Sequence, residues 1–484
     1  MTSLKTRPET REIAAFARLP VLTVATLAAA VLVITSVRYA HGFDELYFLV
    51  AGRDHPAWGY FDQPPLVPML AGTLDRLFPG SLLALRLPMA LAVGAGVAIT
   101  ALTARELGGR RGAQVMAAGL YATSNLVVLS HWVSTYGLDP FLWTVVVFLL
   151  VRWTRTRRDG LLVWAGVVTA VSLEVKFLIP ALWAAVLVSA AIFGPRTLLS
   201  RPKLWLAALI AVVATIPALA WQATHGWPYP HMADVVAAEF PGYLAFARDG
   251  LLGAGLGVGV LGLLYGLWRL FRSAELRPYR YLAVALLLVA VAVLLTHGRS
   301  YYLMSLYALP FAAAAVELSR RDLARWWRLP VGIAFAVSAA VTVAGLPVWP
   351  ASVTATTFGP VSLGTVFAGG ETAQKQVADV VGQTYAALPD KAHTAVYAEI
   401  YPFAAAVEYY GPRYGITDVY SGHRGYWYFD RPSDQARDVL FVGFDPALLK
   451  PYFSSVTEVV PGLVWRYSGR TQSWDTIWPR VKRQ

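Results

Sequence analysis

The chain repeats one pattern: an apolar run of about 17–25 residues, the length that carries an α-helix across a bilayer, closed by a short polar or basic stretch. Such runs fall near 18–37, 82–104, 112–130, 140–152, 161–177, 180–194, 204–221, 250–268, 281–296, 302–317 and 330–348. Backbone in hydrocarbon has to satisfy its own hydrogen bonds, so runs of this length spell helices. The expected fold is a polytopic α-helical membrane protein with about eleven transmembrane helices. Composition agrees, since 57% of the 484 residues are hydrophobic and only 14% charged, against roughly one quarter charged in soluble domains. The first run follows Lys5, Arg7, Arg11 and Arg18, as a signal peptide would. It exceeds the about 7–15 residues of a signal h-region and no A-x-A-like site follows it, so it reads as a retained helix.

The formal charge of +12 does not point to nucleic acid. Lys and Arg come in short clusters between apolar runs, around 105–111, 152–158, 196–203, 269–280 and 320–328, the pattern of cytoplasmic membrane loops. If the runs alternate across the bilayer, these clusters share a side with the basic N-terminus. That places the N-terminus in the cytoplasm and the tail outside a plasma membrane. There is no cysteine, which excludes disulfides, thiolate metal sites and Cys nucleophiles. After Pro350 the long apolar runs stop. Residues 1–349 therefore read as a membrane domain and 350–484 as an extracytoplasmic α/β domain, joined by a Gly/Thr/Ser-rich linker from Ala351 to Gly370. In that domain His393 to Ile400 reads as a strand, Tyr401 to Tyr410 as a helix, and Asp438 to Phe444 as a strand followed by a helix from Pro446.

The acids and unusual aromatics gather on the expected outer side. The loop 38–86 is too long for a connector, and Leu66, Met69, Leu70, Leu74 and Leu77 recur at helical steps within it, as in a helix lying along a membrane surface. It opens with His41-Gly42-Phe43-Asp44-Glu45-Leu46-Tyr47 and continues through Trp58-Gly59-Tyr60-Phe61-Asp62-Gln63-Pro64-Pro65; together these form the floor of one candidate site. Neighbouring helical residues point about 100° apart, so one of Asp44 and Glu45 faces a cavity while the other caps a helix or accepts from backbone. A partly desolvated Asp44 suits a general base. Asp139, just before Pro140, lies on the same side and reads as a second acid or as a helix N-cap. Lys176 and Arg299 stand alone as cations at the outer ends of their spans, Arg299 beside Tyr301 and Tyr302. Such a pair suits a phosphate, with Arg as a fork and Lys as a point charge, although Glu174 could claim Lys176. His41 and Glu45, four residues apart, are the best candidates for a divalent metal.

These strings, with Leu85-Arg86-Leu87-Pro88, Tyr136-Gly137-Leu138-Asp139-Pro140, Trp221-Gln222-Ala223-Thr224-His225-Gly226-Trp227 and Arg299-Ser300-Tyr301-Tyr302, resemble glycosyltransferase family 39. Its members are membrane enzymes of the GT-C type, among them protein O-mannosyltransferases and the lipid A aminoarabinose transferase. In the tail, Tyr401-Pro402-Phe403-Ala404, Tyr409-Tyr410-Gly411 and Ser421-Gly422-His423 are similar to the outer domain of bacterial members. The resemblance implies an inverting transfer of a sugar from a polyprenyl-phosphate donor to a hydroxyl of an acceptor glycan, lipid or protein, with no required cofactor. It makes Asp44 the base and Asp139 a second acid. Lys176 and Arg299 become the phosphate contacts, with Glu45, Tyr47, Tyr60, Asp62, His225, Tyr301 and Tyr302 around the substrates. A transporter or flippase of lipid-linked sugars would share the spans but places polar residues at mid-membrane, whereas here they cluster at one face. A noncatalytic envelope-binding protein is the remaining alternative.

Overall fold

The computed structural model describes residues 13–321, 325–350, 356–358, 361–363 and 368–483. Sixteen helices make up the membrane part within those residues: α1 (Arg18–Thr35), α2 (Phe43–Arg53), α3 (Leu66–Leu77), α4 (Leu82–Glu106), α5 (Arg111–Ala122), α6 (Asn125–Leu129), α7 (Thr135–Thr156), α8 (Gly160–Val175), α9 (Ile179–Phe193), α10 (Pro202–Thr224), α11 (Met232–Ala238), α12 (Tyr243–Leu252), α13 (Val258–Arg272), α14 (Arg280–Leu295), α15 (Ala308–Ser319) and α16 (Arg328–Ala344). Every expected apolar run is helical, yet fewer than eleven helices have the length and apolarity to cross a bilayer alone. Among the described residues α1, α4, α7, α10 and the stretch Arg277–Leu295 do; a sixth span forms if Ser300–Leu306 and α15, bent by 51°, count as one. The helices α8, α9 and α16 are apolar but shorter. Two runs are broken by local chemistry. Thr123 Oγ1 donates to Gly119 O and Ser124 Oγ to Tyr121 O, ending α5 inside the run 112–130 by side-chain bonds that compete with the helix. A turn through residues 253–257 likewise divides α12 from α13.

The bundle packs α1 on α4, α4 on α5 and α7, α8 on α10, α9 on α14 and α13 on α15. Its main core joins Trp143, Leu150, Trp153, Ile179, Leu282 and Val316. The amphipathic helix expected from Leu66 to Leu77 is α3, and its buried face, Val67, Ala71 and Gly72, packs on α2. Gly52 and Gly72 let the two backbones touch, since a Cβ on Gly72 would fall 2.2 Å from the Gly52 carbonyl carbon. The α2–α3 pair thus forms a rigid ledge.

Past a two-residue-linked hairpin, β1 (Thr356–Phe358) and β2 (Val361–Leu363), and the helix α17 (Ala373–Ala386), the tail builds a five-stranded sheet. Its strands are β3 (Thr394–Ala398), β4 (Val419–Tyr420), β5 (Asp438–Val442), β6 (Phe453–Val460) and β7 (Val464–Arg470), ordered β4-β3-β5-β7-β6. Strand β3 runs parallel to β4 and β5, with Thr394 opposite Asp438, while β7 pairs antiparallel with β5 and β6. Alternation along the strands divides the faces. Tyr397 and Phe441 pack under Trp474 and Ile477; Val396, Leu440 and Val442 turn the other way. There they share one core with Ala404 and Val407 of the helix α18 (Tyr401–Tyr410) and with Leu46, Tyr47 and Leu49 of α2. The tail is therefore seated on the ledge. The expected helix from Pro446 is absent: residues 446–449 form turns leading to a short 3₁₀ helix at Lys450–Tyr452 and then β6. The β6–β7 hairpin consumes this stretch instead.

Candidate active site

A cavity of about 720 Å³ opens between the ledge and the tail. Its floor comes from α2, where Gly42 starts the helix and its N–H donates to Glu45 Oε2 at 3.2 Å. That start turns Glu45 into the protein and leaves Asp44 toward the cavity. Asp44 accepts a 2.6 Å hydrogen bond from the Tyr401 hydroxyl of α18. Burial raises its carboxyl above the ordinary range, with the Tyr401 bond and the positive charges of Arg299 and Arg424 pulling the other way. Burial of this kind makes a carboxylate more basic, as a proton acceptor requires. Beside it Asp62 accepts from Tyr47 Oη at 2.9 Å; burial pushes its carboxyl up to about 6, opposed by Arg424 and the Tyr47 bond.

The cations line the same space. Lys176 caps the end of α8 and holds its ammonium 4.0 Å from the ring centre of Tyr302 and 5.2 Å from that of Tyr301. Arg299 Nη1 donates to Tyr301 Oη at 3.1 Å. Glu239 bridges two guanidinium groups, pairing with Arg299 and accepting from Arg424 Nη2 at 2.8 Å. The tail supplies Arg424, Tyr401 and His423. His423 Nδ1 accepts from the Tyr401 backbone N–H at 3.2 Å, and burial together with Arg424 and Arg483 pushes its imidazole down to about 3, so it stays neutral. One basic carboxylate facing cations and aromatic walls can bind an anionic leaving group and deprotonate a hydroxyl.

Residues 62–221 match the family model described as dolichyl-phosphate-mannose-protein mannosyltransferase. A search of curated proteins returned no match. Among solved structures the chain is similar to ArnT from Cupriavidus metallidurans bound to undecaprenyl phosphate, at 17% identity and a TM-score of 0.59 over 92% of this chain and 97% of that one. It is also similar to the mycobacterial arabinofuranosyltransferase AftD, at 16% identity and 0.52, over 96% of this chain and 40% of that. The third is the Archaeoglobus fulgidus oligosaccharyltransferase AglB in complex with an inhibitory peptide and a dolichol-phosphate, at 14% and 0.50, over 93% and 74%. The fold is that of the GT-C membrane glycosyltransferases. The likeness expected from the sequence, to family 39 and the GT-C type, is thus met by the family match and by the whole-chain fold.

Within this GT-C fold Asp44, Tyr47, Asp62, Lys176, Arg299, Tyr301 and Tyr302 come together on the cavity wall. Four other candidates do not. Glu45 is fully buried, bonded to Arg86 at 2.7–3.2 Å and to the Val133 N–H at 3.1 Å. Burial opposes its charge, but Arg86 holds its carboxyl below the ordinary value. It is a structural anchor, not a substrate contact. Asp139 is 4% exposed and lies inside α7, whose N-cap is Ser134. Its oxygens accept from Trp143 Nε1 at 3.0 Å, Ser172 Oγ at 3.3 Å and Ser305 Oγ at 3.5 Å. It is thus neither an N-cap nor a cavity acid, and the positive charge of Lys176 lies close to it. Tyr60 is 1% exposed, its hydroxyl committed to the Ala57, Ala51 and His55 backbone, and it lines a second, smaller pocket with His225. Glu174 makes no ion pair with Lys176 among the described residues, and its Oε1 has no partner there. His41 bonds Tyr410 Oη at 2.8 Å, and among the described residues no group of three or more His, Cys, Asp or Glu could hold a metal ion.

Sequence reading missed Tyr401, Arg424 and Glu239 as partners of the site, and Glu371 as its support. Glu371 accepts from Trp132 Nε1 at 2.6 Å and lies 3.6 Å from Arg86 and 3.2 Å from His131. Burial pushes it up to about 7 against the pull of Arg86. The tail thereby touches the Glu45–Arg86 cluster as well as Asp44.

Proposed function

We propose that this chain is an inverting glycosyltransferase that moves a sugar from a polyprenyl-phosphate-sugar donor to a hydroxyl of an acceptor glycan, lipid or protein on the outer face of a bacterial plasma membrane. The observation that carries the reading is the single cavity that holds the Asp44 carboxylate together with Lys176, Arg299 and Arg424, at the ends of apolar helices that can lodge a prenyl chain. Support comes from two similar structures, one of ArnT bound to undecaprenyl phosphate and one of AglB with a dolichol-phosphate.

Asp44 takes the proton from the acceptor hydroxyl as its oxygen forms the new bond to the anomeric carbon. The bond from that carbon to the phosphate oxygen breaks on the opposite face, and polyprenyl phosphate leaves with both bonding electrons. Lys176 and Arg299 meet the charge that develops there, which lowers the barrier most when water is excluded. The roles need no further cofactor. Arg424, paired with Glu239 here, is a third cation that can meet the phosphate. Basic clusters at the far ends of the helices orient the N-terminus toward the cytoplasm.

Purified protein given a radiolabelled polyprenyl-phosphate sugar should release polyprenyl phosphate and form a labelled product. NMR of that product, against a donor of known configuration, should show the opposite anomer. Retention would overturn the single displacement.

A further inference from the structure

Outside the cavity just described lies a second pocket of about 260 Å³, built where the loop 55–61, the end of α10 and residues 425–429 of the tail meet. We infer that it is a subsite for a neutral sugar residue of the acceptor; this rests on the glycosyltransferase reading and adds to it the chemical class of the acceptor.

The lining is not built for an anion. It contains no Asp, Glu, Lys or Arg, whereas the larger cavity carries three cations. The adjacent cation, Lys482, is not among the lining residues and bonds the Tyr428 hydroxyl. The walls are rings instead: His225 stacks on Trp221 at 4.1 Å, His55 stacks on Phe429 at 4.3 Å, and Tyr428 stands edge-on to His225 at 6.2 Å. Aromatic faces carry negative charge density and edges positive, so they attract the C–H faces of a sugar ring. The volume lies just below the about 300–1,000 Å³ of small-molecule pockets, suited to one ring and not to an acyl chain.

The polar atoms fit hydroxyl groups. His55 Nε2 lies 2.7 Å from Glu408 Oε1 and must donate to it, and Glu408 is in turn fixed by Tyr426 Oη at 2.8 Å. The other ring nitrogen of His55, Nδ1, is left for a ligand. His225 Nδ1 faces the Trp221 carbonyl at 2.8 Å and must donate there, leaving Nε2 as a second ring nitrogen for a ligand. Neither nitrogen has a partner among the described residues. Tyr428 Oη accepts from Lys482 Nζ at 2.9 Å, so its own proton is available. Two ring nitrogens and one hydroxyl donor on aromatic walls match a polyhydroxylated neutral ring, because each hydroxyl can give as well as take a hydrogen bond.

Position gives the pocket its role. Phe61 lines it and the next residue, Asp62, lines the larger cavity; Gly425 lines it and Arg424 lines the larger one. The partition is Tyr47, whose Oη would sit 1.9 Å from a Cβ on Gly425 and whose ring centre is 5.0 Å from that of Tyr401, the hydrogen-bond partner of Asp44. A glycan seated here has its next residue beside the base.

The test uses the full chain in nanodiscs free of sugar detergents, with saturation-transfer NMR on a panel of methyl pentofuranosides and methyl hexopyranosides. At least one glycoside should receive saturation at its ring C–H protons, and Tyr428→Ala and His225→Ala should each weaken its binding about tenfold, an effect of the size of one aromatic contact with its hydrogen bond. Undecaprenyl phosphate should raise the unfolding temperature of both variants as it does that of the parent, which shows that they fold. No signal from any glycoside, signals unchanged in both variants, or signals erased by undecaprenyl phosphate would each overturn the subsite. Failure of the enzyme reading is separate: it would appear as glycoside binding that persists in a protein that transfers no sugar.

Discussion

Asp44 and Glu45 are adjacent in the chain, and the structure gives them opposite surroundings. Around Glu45 the charge is closed: Arg86 bonds it twice over, also donates to the Ser36 and Ala40 carbonyls, and meets Glu371 from the tail, all without exposure to solvent. Around Asp44 the charge is open: tyrosine hydroxyls, those of Tyr401 and Tyr136, bond it, and among the described residues the cations of the same cavity form no ion pair with it. A carboxylate whose lone pairs are all occupied by fixed donors holds structure, because moving it would strand a buried guanidinium. A carboxylate with capacity left over, facing a cavity, can accept a proton.

That contrast can be broken at four points. The largest effect is expected from Asp44→Asn, which should lower kcat about a thousandfold, within the range of a lost general base, and leave the unfolding temperature unchanged; near-normal transfer would remove Asp44 from the base role. Glu45→Gln should do the reverse in kind, costing about 3 kcal/mol of stability by leaving Arg86 buried without its main partner, measured by denaturant or thermal unfolding. A variant as stable as the parent would mean the cluster is not an anchor. Arg299→Met should raise the donor KM about thirtyfold, on the order of 2 kcal/mol for a hydrogen bond to a charged group, with little change in stability. An altered kcat at constant KM would instead assign it to the transition state alone.

The smallest effect tests the contact that the tail makes with Asp44. Tyr401→Phe removes a hydrogen bond that favours the ionised carboxylate, so the Asp44 pKa rises further. Because the base works ionised, the acid limb of the pH–rate profile should move to higher pH, by somewhat under one pH unit for about 1 kcal/mol. A shift toward lower pH would contradict the direction of the hydrogen bond.

Much of this was readable in residues whose neighbours in sequence are also their neighbours in space. The helix from Leu66 to Leu77 showed in its three- and four-residue leucine steps, and β3, α18 and β5 in local composition. The hairpin of β6 and β7 also left a signal, alternation around Pro461-Gly462, that the reading passed over for a helix from Pro446. Asp139 shows the opposite limit. Asp before Pro at the head of an apolar run suggests a cap or a catalytic acid, but Ser134 starts the helix five residues earlier and the side chain turns inward to Trp143. No sequence spacing reports that rotation.

The sequence by itself determined a bundle of apolar helices, the ends at which charge gathers, and the pairing of Asp44 with Glu45, because bilayer thickness and helical period act on contiguous residues. Only the tertiary structure decided which carboxylate faces the cavity, that Tyr401 and Arg424 from the far end of the chain complete it, and that Tyr60 and His225 belong to a different pocket. Those facts depend on how α18 seats on α2, a contact between segments more than 300 residues apart, where side-chain packing and not local pattern sets the geometry.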